Sequence, residues 1–89
     1  MAVEKVVVHD IDLLECFLQT LIIKRDSIET LYEDLGTVVE SQATNWQDPQ
    51  YDYLKTQVAA YCSSSAAQLD ELDGAITYIS SLVSKLKGL

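Results

Sequence analysis

Trp46-Gln47-Asp48-Pro49 decides how this chain folds. The Asp48 carboxylate can accept the free N–H groups of a first helical turn. Pro49 follows where a fixed φ fits and a missing N–H costs nothing. The tetrapeptide therefore reads as a turn over 46–48, led by a large aromatic, with a helix starting at 49. It falls near the middle of 89 residues, and a long run with helical hydrophobic spacing lies on either side. The expected fold class is all-α. It is a single-domain antiparallel two-helix hairpin, with an extended arm over 1–10, one helix over 11–45 and a second over 49–87.

Upstream of the turn, Asp10 and Asp12 both suit a helix start, and Asp12 with Glu15 forms a capping-box variant. Apolar residues then step by three and four through Leu14, Phe17, Leu21, Ile28, Leu31, Leu35 and Val38, with Lys24 as an interruption. That is a heptad seam. Leu18, Ile22, Ile23, Tyr32 and Val39 widen it beyond what one facing helix covers. Gly36 allows two readings. Thr37-Val38-Val39-Glu40 could restart a broken helix, or Gly36 could let the second helix come close near Ala59 and Ala60. The seam keeps phase through Leu35 and Val38, which favours continuity.

Downstream, the seam expected on the second helix is Leu54, Val58, Tyr61, Ser65, Gln68, Leu72, Ala75, Ile79, Leu82 and Leu86, flanked by Leu69, Ile76 and Val83. Its small, polar middle, Ser63 to Gln68, is expected to face Ile28, Leu31 and Tyr32, large against small. Charges at the ends complement the helix dipoles: Asp10, Asp12 and Glu15, then Asp48 and Asp52, at N-termini, and Lys85 and Lys87 at the last C-terminus.

Composition narrows the function classes. Hydrophobic residues make up 48% of the chain, too many for intrinsic disorder. The net charge of −8, with only six Lys and Arg, excludes a surface that replaces the counterions of nucleic acid or docks on anionic lipid. No apolar run approaches the ~20 residues of a membrane span. The Met1–Val8 stretch, with Glu4 inside it and Asp10 close behind, does not read as a secretory signal. Location is expected to be cytoplasmic, or exported without a cleaved signal peptide.

With a reversal at 47–48, facing residues have numbers adding to about 95 at a rise of ~1.5 Å per residue, which sets Cys16 and Cys62 roughly 25 Å apart. A disulfide needs Cα atoms within ~7 Å, so both thiols are expected to be free. No catalytic, cofactor-binding or metal site is legible. His9 is the only histidine and belongs to the arm. The Glu-x-x-His pairs of bundle metal sites are missing, the glycines at 36, 74 and 88 form no phosphate loop, and Ser63–Ser65 have no base. The chain is not expected to be an enzyme or to need a cofactor.

Two features point to a partner. Trp46, with Asp48 and Pro49 in the turn motif, either plugs the core layer around Val39 and Leu54 or anchors another protein, since exposed aromatics concentrate interface energy. The apolar arc is also too wide for one hairpin. Leu18, Ile22, Tyr32, Leu69, Ile76 and Val83 are the expected partner interface, closing a four-helix bundle by dimerisation.

The Trp46-Gln47-Asp48 turn, the acidic charge, the missing signal peptide and the β-branched lead-in before a capping Asp together resemble the WXG superfamily. These are small helical-hairpin proteins that include the early secreted antigenic target proteins of type VII secretion. The resemblance covers nearly the whole chain. Position 48 holds Asp where that family has Gly. The tail also lacks the family's Tyr-x-x-x-acid export signal, since Tyr78 is followed four positions on by Leu82. The resemblance implies a secretion-associated protein, acting as a secreted homodimer, with a related small helical protein, or as the small targeting partner of a larger secreted effector. The second reading is an intracellular adaptor, chaperone or immunity protein that binds a partner helix on the same stripe.

Overall fold

The computed structural model describes residues 6–88. Two helices, α1 (Ile11–Glu40) and α2 (Pro49–Lys87), pack on each other as an antiparallel hairpin, and the described residues contain no strand. Of the expected arm, 1–5 lie outside the described residues. Residues 6–10 form neither helix nor strand.

Each helix starts on an aspartate. Asp10 accepts from the Leu13 N–H at 3.0 Å and Asp48 from the Gln50 N–H at 2.8 Å, so each carboxylate takes up one orphan donor of its first turn. Asp10, not Asp12, is thus the cap of α1. Glu15 is no capping-box partner; it pairs with Lys87 at the other end of α2. Gly36 leaves α1 unbroken, and a Cβ added there would meet nothing within 4 Å. The glycine therefore does not serve a close helix approach either.

α1 stops five residues short of the expected 45. The chain continues through 41–45 in turns, with Gln42 N–H donating to the Val39 carbonyl and Ala43 N–H to that of Glu40. Ser41 Oγ donates to the Val38 carbonyl and Asn45 Nδ2 to Gln42 Oε1. Short polar side chains compete for backbone partners in this way and loosen a helix end whose residues 41–45 are all exposed.

The main correction concerns which stripe faces inward. The buried side chains are Leu18, Tyr51, Val58, Ser65, Leu69 and Val83. Half-buried Ile22, Arg25, Glu29, Tyr32, Gly36 and Val39 continue that line on α1, and Cys62, Ile76 and Ile79 on α2. Of the seam expected on α1, Leu14 and Leu21 are half-buried, but Phe17, Ile28, Leu31, Leu35 and Val38 lie outside and are exposed. Conversely, Leu18, Ile22, Tyr32, Leu69, Ile76 and Val83, expected to await a partner, lie between the two helices of their own chain. Both rows repeat every seven residues and sit side by side on the helices. Periodicity therefore reports two candidate stripes and does not say which one α2 covers.

Overall extents of 61 × 31 × 15 Å make the hairpin one helix thick. With helices ~10–12 Å across, both broad faces stay open to water.

Candidate interaction surface

The two broad faces differ in chemistry, and helix geometry says why. Each residue turns the helix by one part in ~3.6. On α1, the row Phe17, Ile28, Leu31, Leu35 and Val38 sits a little over a quarter turn from the seam. On α2, the row Leu54, Tyr61, Gln68, Ala75 and Leu82 sits about a quarter turn from its seam. Because the helices run antiparallel, equal rotations of the same sense bring both rows to the same side of the hairpin. One face therefore carries an apolar stripe on α1, interrupted at Lys24, beside a mixed row on α2 in which Leu54, Tyr61 and Leu82 alternate with Gln68 and Ala75.

The opposite face is ionic. Arg25 spans the seam to Asp73, with Nε to Oδ1 at 2.8 Å and Nη2 to Oδ2 at 3.2 Å, and its Nη1 reaches Glu29 at 2.8 Å. Lys55 meets Glu40 at 3.2 Å, and Lys87 meets Glu15. These contacts tie α1 to α2 near both ends and the middle along that flank. The hydrogen bond to Asp73 raises the Arg25 pKa further above the ordinary guanidinium range. Hydrogen bonds to Glu40 and Glu15 likewise raise Lys55 and Lys87 above the usual lysine value.

The turn end is built around Tyr51. Its ring is buried, and its hydroxyl donates to the Val39 carbonyl at 2.8 Å, filling the second lone pair of an acceptor near the C-terminus of α1 that already takes the Gln42 N–H. Trp46 packs outside it, centroids 5.4 Å apart, and is 39% exposed. Trp46 thus shields the last core layer through Tyr51 and still presents part of its ring to solvent. Asp48 and Pro49 are exposed beside it. The sequence reading missed Tyr51 as the plug. The available signal was an aromatic three residues after a helix cap, where a side chain can lean over the preceding turn.

Both cysteines are free, as expected. Cys16 is exposed, and Cys62 Sγ lies 3.7 Å from the Tyr32 carbonyl, near the facing position expected for it. His9 is exposed in the segment ahead of α1. Among the described residues, no group of three or more His, Cys, Asp or Glu is arranged to hold a metal ion, and no helix is long and apolar enough to cross a membrane. Ser65 Oγ is buried without a hydrogen-bond partner. It borders a shallow groove on the ionic face, shared with Arg25, Glu29, Tyr32 and Cys62.

No protein-family model, curated protein or solved structure matches the chain.

Proposed function

We propose that this chain is a non-enzymatic, WXG-like assembly protein whose apolar face packs against a second helical hairpin to complete a four-helix bundle. The observation that carries the reading is the inequality of the two stripes. The seam closed within the chain holds Leu18, Val58, Leu69 and Val83 but also Arg25, Glu29, Gly36, Ser65 and Asp73. The stripe left open on α1 contains Phe17, Ile28, Leu31, Leu35 and Val38, broken by one charge, Lys24. A monomer that leaves such an apolar stripe wet carries an interaction surface. Each such side chain gains ~1.5–3 kcal/mol on full removal from water, so a few of them offset the entropy of association.

In the WXG-like reading the bundle serves type VII-like secretion, as an exported dimer or as the small targeting partner of a larger effector. Trp46 at the turn tip, still partly exposed, suits a further contact in such an assembly. The test is to follow the tagged chain in a host with and without its specialised secretion machinery. Export that depends on the machinery, or co-purification with a secreted effector, is expected. Retention in the cell with neither outcome overturns the secretion role. A second reading, an intracellular adaptor, chaperone or immunity protein, draws on the free thiols of Cys16 and Cys62, which suit a reducing compartment.

A further inference from the structure

We propose that the groove on the ionic face binds a small organic dication, a linear aliphatic diamine, laid along the hairpin between Glu33 and Asp70. The groove lies on the side away from the apolar stripe, so the site is independent of the assembly reading above.

The groove measures about 390 Å³, in the range of small-ligand sites. Its lining sets one guanidinium, Arg25, against three carboxylates, Glu29, Glu33 and Asp70, a net charge of −2. Arg25 is already engaged by Asp73, Asp26 and Glu29. Glu33 and Asp70 are exposed, and among the described residues neither has an ion-pair partner. The Arg25–Asp73 pair sets the level of the two helices, which puts Asp70 opposite position 28 of α1. Glu33 is then five positions further along, roughly 7.5 Å at ~1.5 Å per residue. An extended five-carbon diamine spans that distance with an ammonium at each end.

Between the two charges the groove is lined by Tyr32, Ser65, Ala66 and Leu69, which suit a methylene chain. Ser65 supplies the second, independent sign of a ligand. It is 3% exposed, and its Oγ has no hydrogen-bond partner. A buried hydroxyl in that state is unfavourable, and an occupant that brings N–H donors satisfies it. The acids alone attract any cation, whereas the orphaned hydroxyl selects one that donates hydrogen bonds. A metal ion is the poorer occupant, because the carboxylates are strung along the groove. Among the described residues no three His, Cys, Asp or Glu converge to hold one.

The test titrates 1,5-diaminopentane into the full-length chain at fixed ionic strength, followed by amide shifts in ¹H–¹⁵N spectra. Saturable shifts centred on Glu33, Ser65, Ala66 and Leu69 are expected, with Kd on the order of 1 mM for so small a ligand. Butylamine, with one charge fewer, should bind roughly fivefold more weakly, and Glu33→Gln or Asp70→Asn should weaken the diamine by a similar factor. Ala66→Leu fills the groove from an exposed position and should abolish binding with helix content unchanged in circular dichroism. Ser65→Ala should raise the melting temperature of the free chain and yet weaken the diamine, a combination that a purely structural serine does not give. The shifts should persist in Phe17→Glu, which disables the apolar face, so loss of the assembly reading leaves this site intact. No saturable shift up to about 20 mM, or equal shifts with magnesium chloride, overturns the proposal. Binding of Nα-acetyl-lysinamide as tight as that of the diamine overturns the free diamine and assigns the groove to a lysine side chain of another protein.

Discussion

Leu69→Ala and Leu31→Ala delete the same atoms from two different surfaces, so comparing them tests which stripe is the seam. Leu69 is 6% exposed and Leu31 is 67% exposed. Truncating a buried leucine costs ~2–5 kcal/mol, depending on how much cavity remains. A hairpin one helix thick leaves a gap that opens towards water, so the cost falls near the lower end, about 2–3 kcal/mol. Total stability for this length is on the order of 4–13 kcal/mol. Leu69→Ala is therefore a large fraction of it, and the urea midpoint followed by circular dichroism should drop by roughly 1–2 M. Leu31→Ala in the isolated hairpin should stay within about 0.5 kcal/mol of the parent. Its effect should emerge only as protein concentration rises, when the parent gains stability from association and the variant does not. Equal losses at the two positions at every concentration would refute the placement of the seam between Leu18 and Leu69.

Gly36→Ala and Gly74→Ala should each raise stability by about 1 kcal/mol, since a Cβ at either site meets nothing within 4 Å and alanine is the better helix former; a lower melting temperature for Gly36→Ala would mean that the site is kept small for a neighbour. Tyr51→Phe should cost about 1 kcal/mol through the lost bond to the Val39 carbonyl, with the ring contact to Trp46 kept and visible as unchanged Trp fluorescence. Alkaline pH should weaken the hairpin. Lys55 and Lys87 are raised above 10.5 by Glu40 and Glu15, so their contribution is complete below that value and disappears as pH climbs through the raised one. A Lys55→Met, Lys87→Met variant should therefore lose less stability than the parent between pH 10 and 12 in thermal melts, and parallel losses would contradict the role of those pairs.

The reversal at Asp48, the start of α2 at Pro49 and the free thiols were legible because each follows from local chemistry or simple length arithmetic. The facing of Cys62 and Tyr32 likewise followed from the pairing rule. On α2 the expected seam residues Val58 and Ser65 are buried and Leu72, Ile79 and Leu86 half-buried; on α1 the inward stripe was not legible. Ranked by apolar content, Phe17-Leu31-Val38 looks more like a core than a row containing Arg25 and Glu29. What separates the two is long-range: Arg25 to Asp73, Glu15 to Lys87, Glu40 to Lys55, and the Tyr51 hydroxyl reaching Val39. None of these leaves a periodic trace. The end of α1 also escaped, because the polar run Ser41–Asn45 is compatible with a helix until its side chains turn back on the backbone.

Sedimentation velocity on the full-length chain, diluted from hundreds of micromolar to below one, examines the uncovered greasy side most directly. A reversible species of twice the 9.9 kDa monomer mass is expected at the upper concentrations, and the Phe17→Glu, Leu31→Glu variant should remain a helical monomer throughout. A dimer that survives both glutamates would contradict it, as would a parent that stays a single 9.9 kDa particle over the whole range and binds no other helical protein.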